Sequence, residues 1–175
     1  MFENYAEVLK LLDFAGGSVV GRKKLQKLVY LAQQKGWPFP EQYRYYLYGP
    51  FSEQLANEIE EMKAFGFVTE ERQSGYGTAL CCSLTQQGKE LIGRVASQPL
   101  PVGIEDLVVE LSQRDARILE LMATALFLLK HGHSKNGVSD TIRNLKPEQE
   151  YCIPEIDETL AFLSSRGFLK QVTGG

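Results

Sequence analysis

Residues 67–84 restrict the fold most: two β-favouring runs, 67–72 and 78–84, flank the pentapeptide QSGYG. Its two glycines allow the positive φ values that a tight hairpin demands. Three helical stripes precede this hairpin. Tyr5, Val8, Leu9 and Leu12 keep helical spacing over residues 2–15, and Gly16-Gly17 supplies the stop. The segment GRKKLQKLVYLAQQKG, residues 21–36, carries Leu25, Leu28, Val29 and Ala32 on one face and ends at Gly36 and Pro38. Ser52 is a natural N-cap for a third helix, with Glu53 in its first turn, and the stripe Phe51, Leu55, Ile59 and Met62 stops at Gly66. Between the second and third helices lies WPFPEQYRYYLYGPF, aromatic and β-favouring over residues 43–48, where a turn at Gly49-Pro50 breaks the strand. A fourth helix restarts at Thr85.

The order helix, helix, helix, strand, wing, strand is that of a winged helix-turn-helix. One departure stands out. An ordinary helix-turn-helix joins its second and third helices by a turn of about 3–4 residues, whereas here the aromatic strand is inserted before the third helix. The expected fold class is α+β, mostly α: a winged-helix-like domain over residues 1–98, a linker at 99–103, and a helical domain over 104–175. In that last part, Gly167-Phe168-Leu169 echoes Gly66-Phe67-Val68, which suggests a second, wingless helix triplet. Leu119, Leu121, Met122, Leu126, Phe127, Leu128 and Leu129 surround their helix almost completely. Such a helix is expected to be buried, between the domains or in a homodimer interface.

Composition excludes several classes. With 175 residues, 43% apolar and 23% charged, the chain is globular rather than disordered. Its longest apolar run, residues 121–129, is about half of the roughly 20 residues that a bilayer crossing needs. Glu3 and Glu7 stand where a signal peptide carries cations, so a cytoplasmic location and no membrane partner are expected. Cys81 and Cys82 are neighbours that would point to opposite faces of a strand, and His131 and His133 lack companions for a ligand set. No metal or other cofactor is expected. There is no Gly-x-Ser-x-Gly elbow, phosphate loop, dinucleotide fingerprint or His-Glu-x-x-His pair, and Ser134 beside His133 is the one adjacent nucleophile and base. The reading is therefore non-catalytic.

KKLQKLVYLAQ followed by YLYGPFSEQL resembles the YwgA-like family of bacterial proteins and, more distantly, the Panacea domain that accompanies some toxin–antitoxin systems. The likeness is carried by residues 24–28 with Tyr30, and by Tyr48-Gly49-Pro50. It implies a winged-helix-like fold without known catalysis and, through Panacea, a protein partner of the toxin kind.

Duplex DNA is the partner that the fold most often serves. Residues 51–66, however, set Glu53, Glu58, Glu60 and Glu61 against Lys63 alone, and the wing offers Arg72 beside Glu70 and Glu71. Phosphates would be repelled there. The second helix is the candidate surface: at about 100° per residue, Lys23, Gln26, Lys27, Tyr30 and Gln34 fall opposite its apolar stripe. Arg22 lies at the edge, and Arg44 could join from the aromatic strand. Four phosphate contacts would give a salt slope of about −3.6. The same residues also suit a merely solvated face. Likewise Trp37, Phe39, Tyr43, Tyr45, Tyr46 and Tyr48 suit either base stacking or core packing. The expected function is a non-catalytic winged-helix-like regulator that contacts DNA through Arg22, Lys23, Gln26, Lys27, Tyr30 and Arg44. The same reading draws on the Tyr48-Gly49-Pro50 turn, with Tyr46 beside it, as a surface for DNA or for a partner; the alternative is a protein-binding module of the antitoxin kind, in which the acidic third helix and the wing meet a basic, toxin-like or regulatory partner.

Overall fold

The computed structural model describes residues 1–169. Its elements run α1 (Phe2–Phe14), β1 (Ser18–Val20), α2 (Arg22–Gln34), β2 (Arg44–Tyr46), β3 (Gly49–Phe51), α3 (Glu53–Ala64), β4 (Val68–Arg72), β5 (Leu80–Leu84), α4 (Gln86–Arg94), α5 (Ile104–Ser112), α6 (Ala116–Lys130), α7 (Lys135–Leu145) and α8 (Ile153–Ser165). The protein is α+β and mostly helical, with the aromatic strand between the second and third helices.

Local chemistry sets the boundaries. Ser52, Thr85, Asp115 and Ser134 each accept a backbone N–H in the first turn of the helix that follows, satisfying a donor that the helix leaves orphaned. Ser134 Oγ, beside His133, accepts from the N–H of Gly137 at 3.0 Å as the N-cap of α7. At Gly66, φ is +79°, and the N–H of Phe67 closes on Met62 O at 2.9 Å. Gly167 repeats this geometry, but α1 and α2 end on similar glycine stops, so the motif does not single out a repeat of the first half. Any strand running on beyond Leu169 lies outside the described residues.

Two antiparallel sheets form. Sheet order is β1-β5-β4, with Val19 opposite Cys82 and Glu70 opposite the same Cys82. The strand Ser18–Val20 was not foreseen, because three residues are too few to display alternation. The second sheet is the β2–β3 hairpin, in which Tyr45 faces Pro50 and Tyr46 faces Gly49. The chain therefore reverses at Leu47-Tyr48, and Gly49-Pro50 belongs to the returning strand rather than to the turn.

Buried side chains from α1 to α8 belong to one hydrophobic cluster. α2 lies at its centre, packed against β1, α3 and α5 and, across its other face, against β3 and α6. α6 is in turn covered by α2, β3, α7 and α8, which accounts for the burial of every residue from 119 to 129. That burial is complete within a single chain, so the dimer interface expected on this helix loses its basis. No helix among the described residues is long and apolar enough to cross a membrane.

Candidate functional site

The face of α2 expected to be wet is mostly dry. Its apolar stripe is buried as the periodicity required, but so are Gln26, Lys27 and Tyr30. The hairpin and α6 close over the face that carries them. Lys27 is only 2% exposed, and its Nζ donates to Pro50 O at 2.7 Å. Burial pushes this amine down to about 8, with Glu120 pulling it up and Lys146 and Lys23 pressing it further down. Gln26 pairs with both backbone groups of Ser52, donating to its O at 2.8 Å and accepting from its N at 3.0 Å. Tyr30 meets Tyr43 edge to face, with ring centroids 5.0 Å apart. None of these three can serve as a DNA contact, contrary to expectation.

The other cations of α2 are mostly engaged as well. Arg22 forks onto both carboxylate oxygens of Glu70, its Nε bond measuring 2.7 Å, and reaches Glu60 at 2.5 Å. Its hydrogen bonds hold the Glu70 carboxyl below the usual carboxylate range. Lys24 donates to Ser112 O at 2.6 Å, where the C-terminal end of α5 favours a cation. Gln34 accepts from Lys130 at 2.5 Å. Arg44 is exposed on β2 and pairs with Glu53 at 2.8 Å, away from the α2 cations it was expected to join. Of the cations on α2, only Lys23 has neither an ion pair nor a hydrogen-bond partner among the described residues, and its amine sits 3.2 Å from the centroid of the Tyr48 ring.

These fastenings secure the hairpin from beneath. Besides Lys27 and Gln26, Lys146 at the end of α7 is 1% exposed and donates to Leu47 O and to Glu120, each at 3.0 Å. A buried ammonium is tolerable only when paired and fully bonded, and both partners are in place. Gly49 adopts a φ of +85° beside Thr124 on α6, and a Cβ there would come within 2.5 Å of Thr124 Oγ1. Only glycine fits comfortably. Lys146, Glu120 and Thr124 carried no signal in the sequence: each looks like an ordinary helix residue until α6 and α7 close on the hairpin.

On this fixed backbone the tip points outward. Tyr46, Leu47 and Tyr48 are 51%, 69% and 43% exposed. The aromatic segment thus divides: Trp37 and Phe39 stack in the core with centroids 5.1 Å apart, whereas the tip is exposed, Tyr46 lying beside Phe51 and Tyr48 beneath the Lys23 amine. Behind the tip, between α2, α3 and the hairpin, lies a cavity of about 300 Å³. Arg22, Lys23, Gln26, Lys27, Tyr46 and Tyr48 line it, so six of the expected site residues meet at one place. Phe51, Ala56 and Ile59 complete its wall. Such a space can hold an apolar group. Among the described residues no three His, Cys, Asp or Glu side chains converge as a metal site.

No protein-family model matches the chain. A Bacillus subtilis (strain 168) protein named uncharacterized protein YwgA is 32% identical to it over 174 residues, a match that spans 98% of this chain and 99% of that protein. At that identity and coverage, the chain belongs to the YwgA family.

Proposed function

We propose that this is a non-catalytic, winged-helix-like regulatory protein that binds a protein partner at the tip of the β2–β3 hairpin. The winged-helix reading is supported by the order α1, β1, α2, α3, β4, β5 and by the sheet order β1-β5-β4, with residues 73–79 as the wing. The hairpin is then an insertion between the second and third helices. One observation carries the functional reading: Tyr46, Leu47 and Tyr48 are exposed in succession on a backbone held by three buried side chains, Gln26, Lys27 and Lys146. Exposed aromatic groups on a rigid support cost little to order and make strong anchors. The distant resemblance of the sequence around Tyr48-Gly49-Pro50 to the Panacea domain would imply the same class of partner.

Duplex DNA is the weaker reading. A groove contact through α2 would have Lys23 as its one cation with neither an ion pair nor a hydrogen bond among the described residues, and the solvent side of α3 presents Glu53, Glu60 and Glu61. Titration with a fluorescent duplex at about 50 mM and about 200 mM salt should therefore show no binding that Lys23→Glu abolishes. Affinity capture from cells of the source organism should retain a protein with the wild-type chain and lose it with Leu47→Ser or Tyr46→Ala. Salt-dependent duplex binding lost in Lys23→Glu, with the same proteins captured by all three chains, would reverse the choice.

A further inference from the structure

The cavity behind the hairpin has a composition that selects its occupant, and the selection is independent of what the hairpin tip binds. Most polar groups in its wall are already spent. The amide of Gln26 is occupied at both ends by Ser52, the amine of Lys27 by Pro50 O, and the guanidinium of Arg22 by Glu60 and Glu70. An entering molecule therefore meets the faces of Phe51, Ala56 and Ile59 and the rings of Tyr46 and Tyr48. Among the charged groups, Lys23 is the exception. It lies at the exposed rim, has no ion pair among the described residues, and rests its amine on the ring of Tyr48. A cation–π contact at an exposed site is weak and gives way readily to a carboxylate, which offers a lysine both charge and hydrogen bonds.

We propose that this cavity binds a small carboxylic acid with an aromatic or branched apolar body, its carboxylate held by Lys23 in place of the Tyr48 ring. At about 300 Å³ the space sits at the small end of ligand pockets and takes on the order of a dozen non-hydrogen atoms. The single available cation sets the charge at one. The apolar lining requires the rest of the molecule to be hydrocarbon or aromatic. Tyr48 belongs to both the cavity rim and the exposed tip, so an acid that moves it changes the surface offered to a partner. Partner and acid would then be thermodynamically linked.

Calorimetric titration near neutral pH with 2-naphthoate and with 2-naphthalenemethanol, which share one apolar body, tests the assignment without any protein partner. The wild-type chain should bind the acid saturably, and the alcohol at least about tenfold more weakly. Lys23→Met should lower the acid to the level of the alcohol and leave the alcohol unchanged. Ala56→Leu, which fills the cavity from α3, should abolish both. Equal binding of acid and alcohol, an unchanged acid affinity in Lys23→Met, or no saturable binding of the acid up to about 1 mM would overturn the proposal. Loss of partner capture by Leu47→Ser, which lies outside the cavity lining, with naphthoate binding intact would leave it standing.

Discussion

Gly49 shows how much one residue carries. Its φ of +85° belongs to the left-handed region, and the place where a Cβ would stand is filled by Thr124 Oγ1. Gly49→Ala must meet both costs, backbone strain and overpacking against α6, and the expected loss is about 2–4 kcal/mol of stability. A fall in the urea midpoint at unchanged slope would register it, whereas an unchanged midpoint would mean that the hairpin does not dock on α6 as described. Thr124→Ser is the useful companion, since it keeps the hydroxyl and removes a methyl group. The sequence could flag Gly49 as a turn residue through its pairing with Pro50. That the glycine is needed for close approach to a helix more than seventy residues later could not be read locally. Lys27 makes the same point from the other side: it looked like a solvated lysine because its fate is decided by β3 and α6.

At the scale of elements, one-sided burial was legible and two-sided burial was not. α3 buries a single stripe, and the 3.6-residue period reveals it. α2 is enclosed on two sides, so its polar residues had to be paired internally, and pairing leaves no periodic trace. A second internal group shows how separate elements are tied together. Asn4 on α1 donates to Glu41, ahead of β2, at 3.0 Å and to Glu58 on α3 at 2.7 Å. Glu41 and Glu58 are both buried, each with an oxygen that finds no hydrogen-bond donor. A retained proton supplies that missing donor. Burial first, then the bond to Glu41, pushes the Glu58 carboxyl up to about 7. In the unfolded chain it titrates near the ordinary 4.5. Between those values the folded state holds more protons than the unfolded one, so stability attributable to this pair falls as pH rises from about 4.5 to about 7 and levels off above. Glu58→Gln keeps a donor toward Glu41 and cannot ionise. Urea unfolding at several pH values should therefore give the variant a flatter profile across that window, and parallel profiles for the two proteins would contradict a shared proton.

For the whole molecule, the question is whether the first half can stand without the second. The sequence placed a linker at 99–103, and the chain there is irregular between α4 and α5. A linker in the sequence marks a break in local structure, however, and does not fix where the core divides. Leu25, Leu28, Tyr30 and Leu31 of α2 share one hydrophobic cluster with Leu121, Leu126 and Phe127 of α6, and the hairpin hangs from Lys146, which lies 99 residues beyond its acceptor Leu47. Removing residues 99–175 would bare the α6-facing side of α2, release Leu47 O and leave Lys27 without Glu120. Exposed apolar area costs roughly 25 cal/mol per Å², and a small domain's net stability is only about 5–15 kcal/mol, so the loss of one long helix contact can consume the margin. The full chain should melt in a single calorimetric transition with matching van't Hoff and calorimetric enthalpies. A fragment of residues 1–98 should lack a cooperative transition and bind a dye for exposed apolar surface. If the fragment instead melts cooperatively and binds no dye, the hairpin and its cavity would be properties of the first half alone, and α6 merely a cover laid over a finished domain.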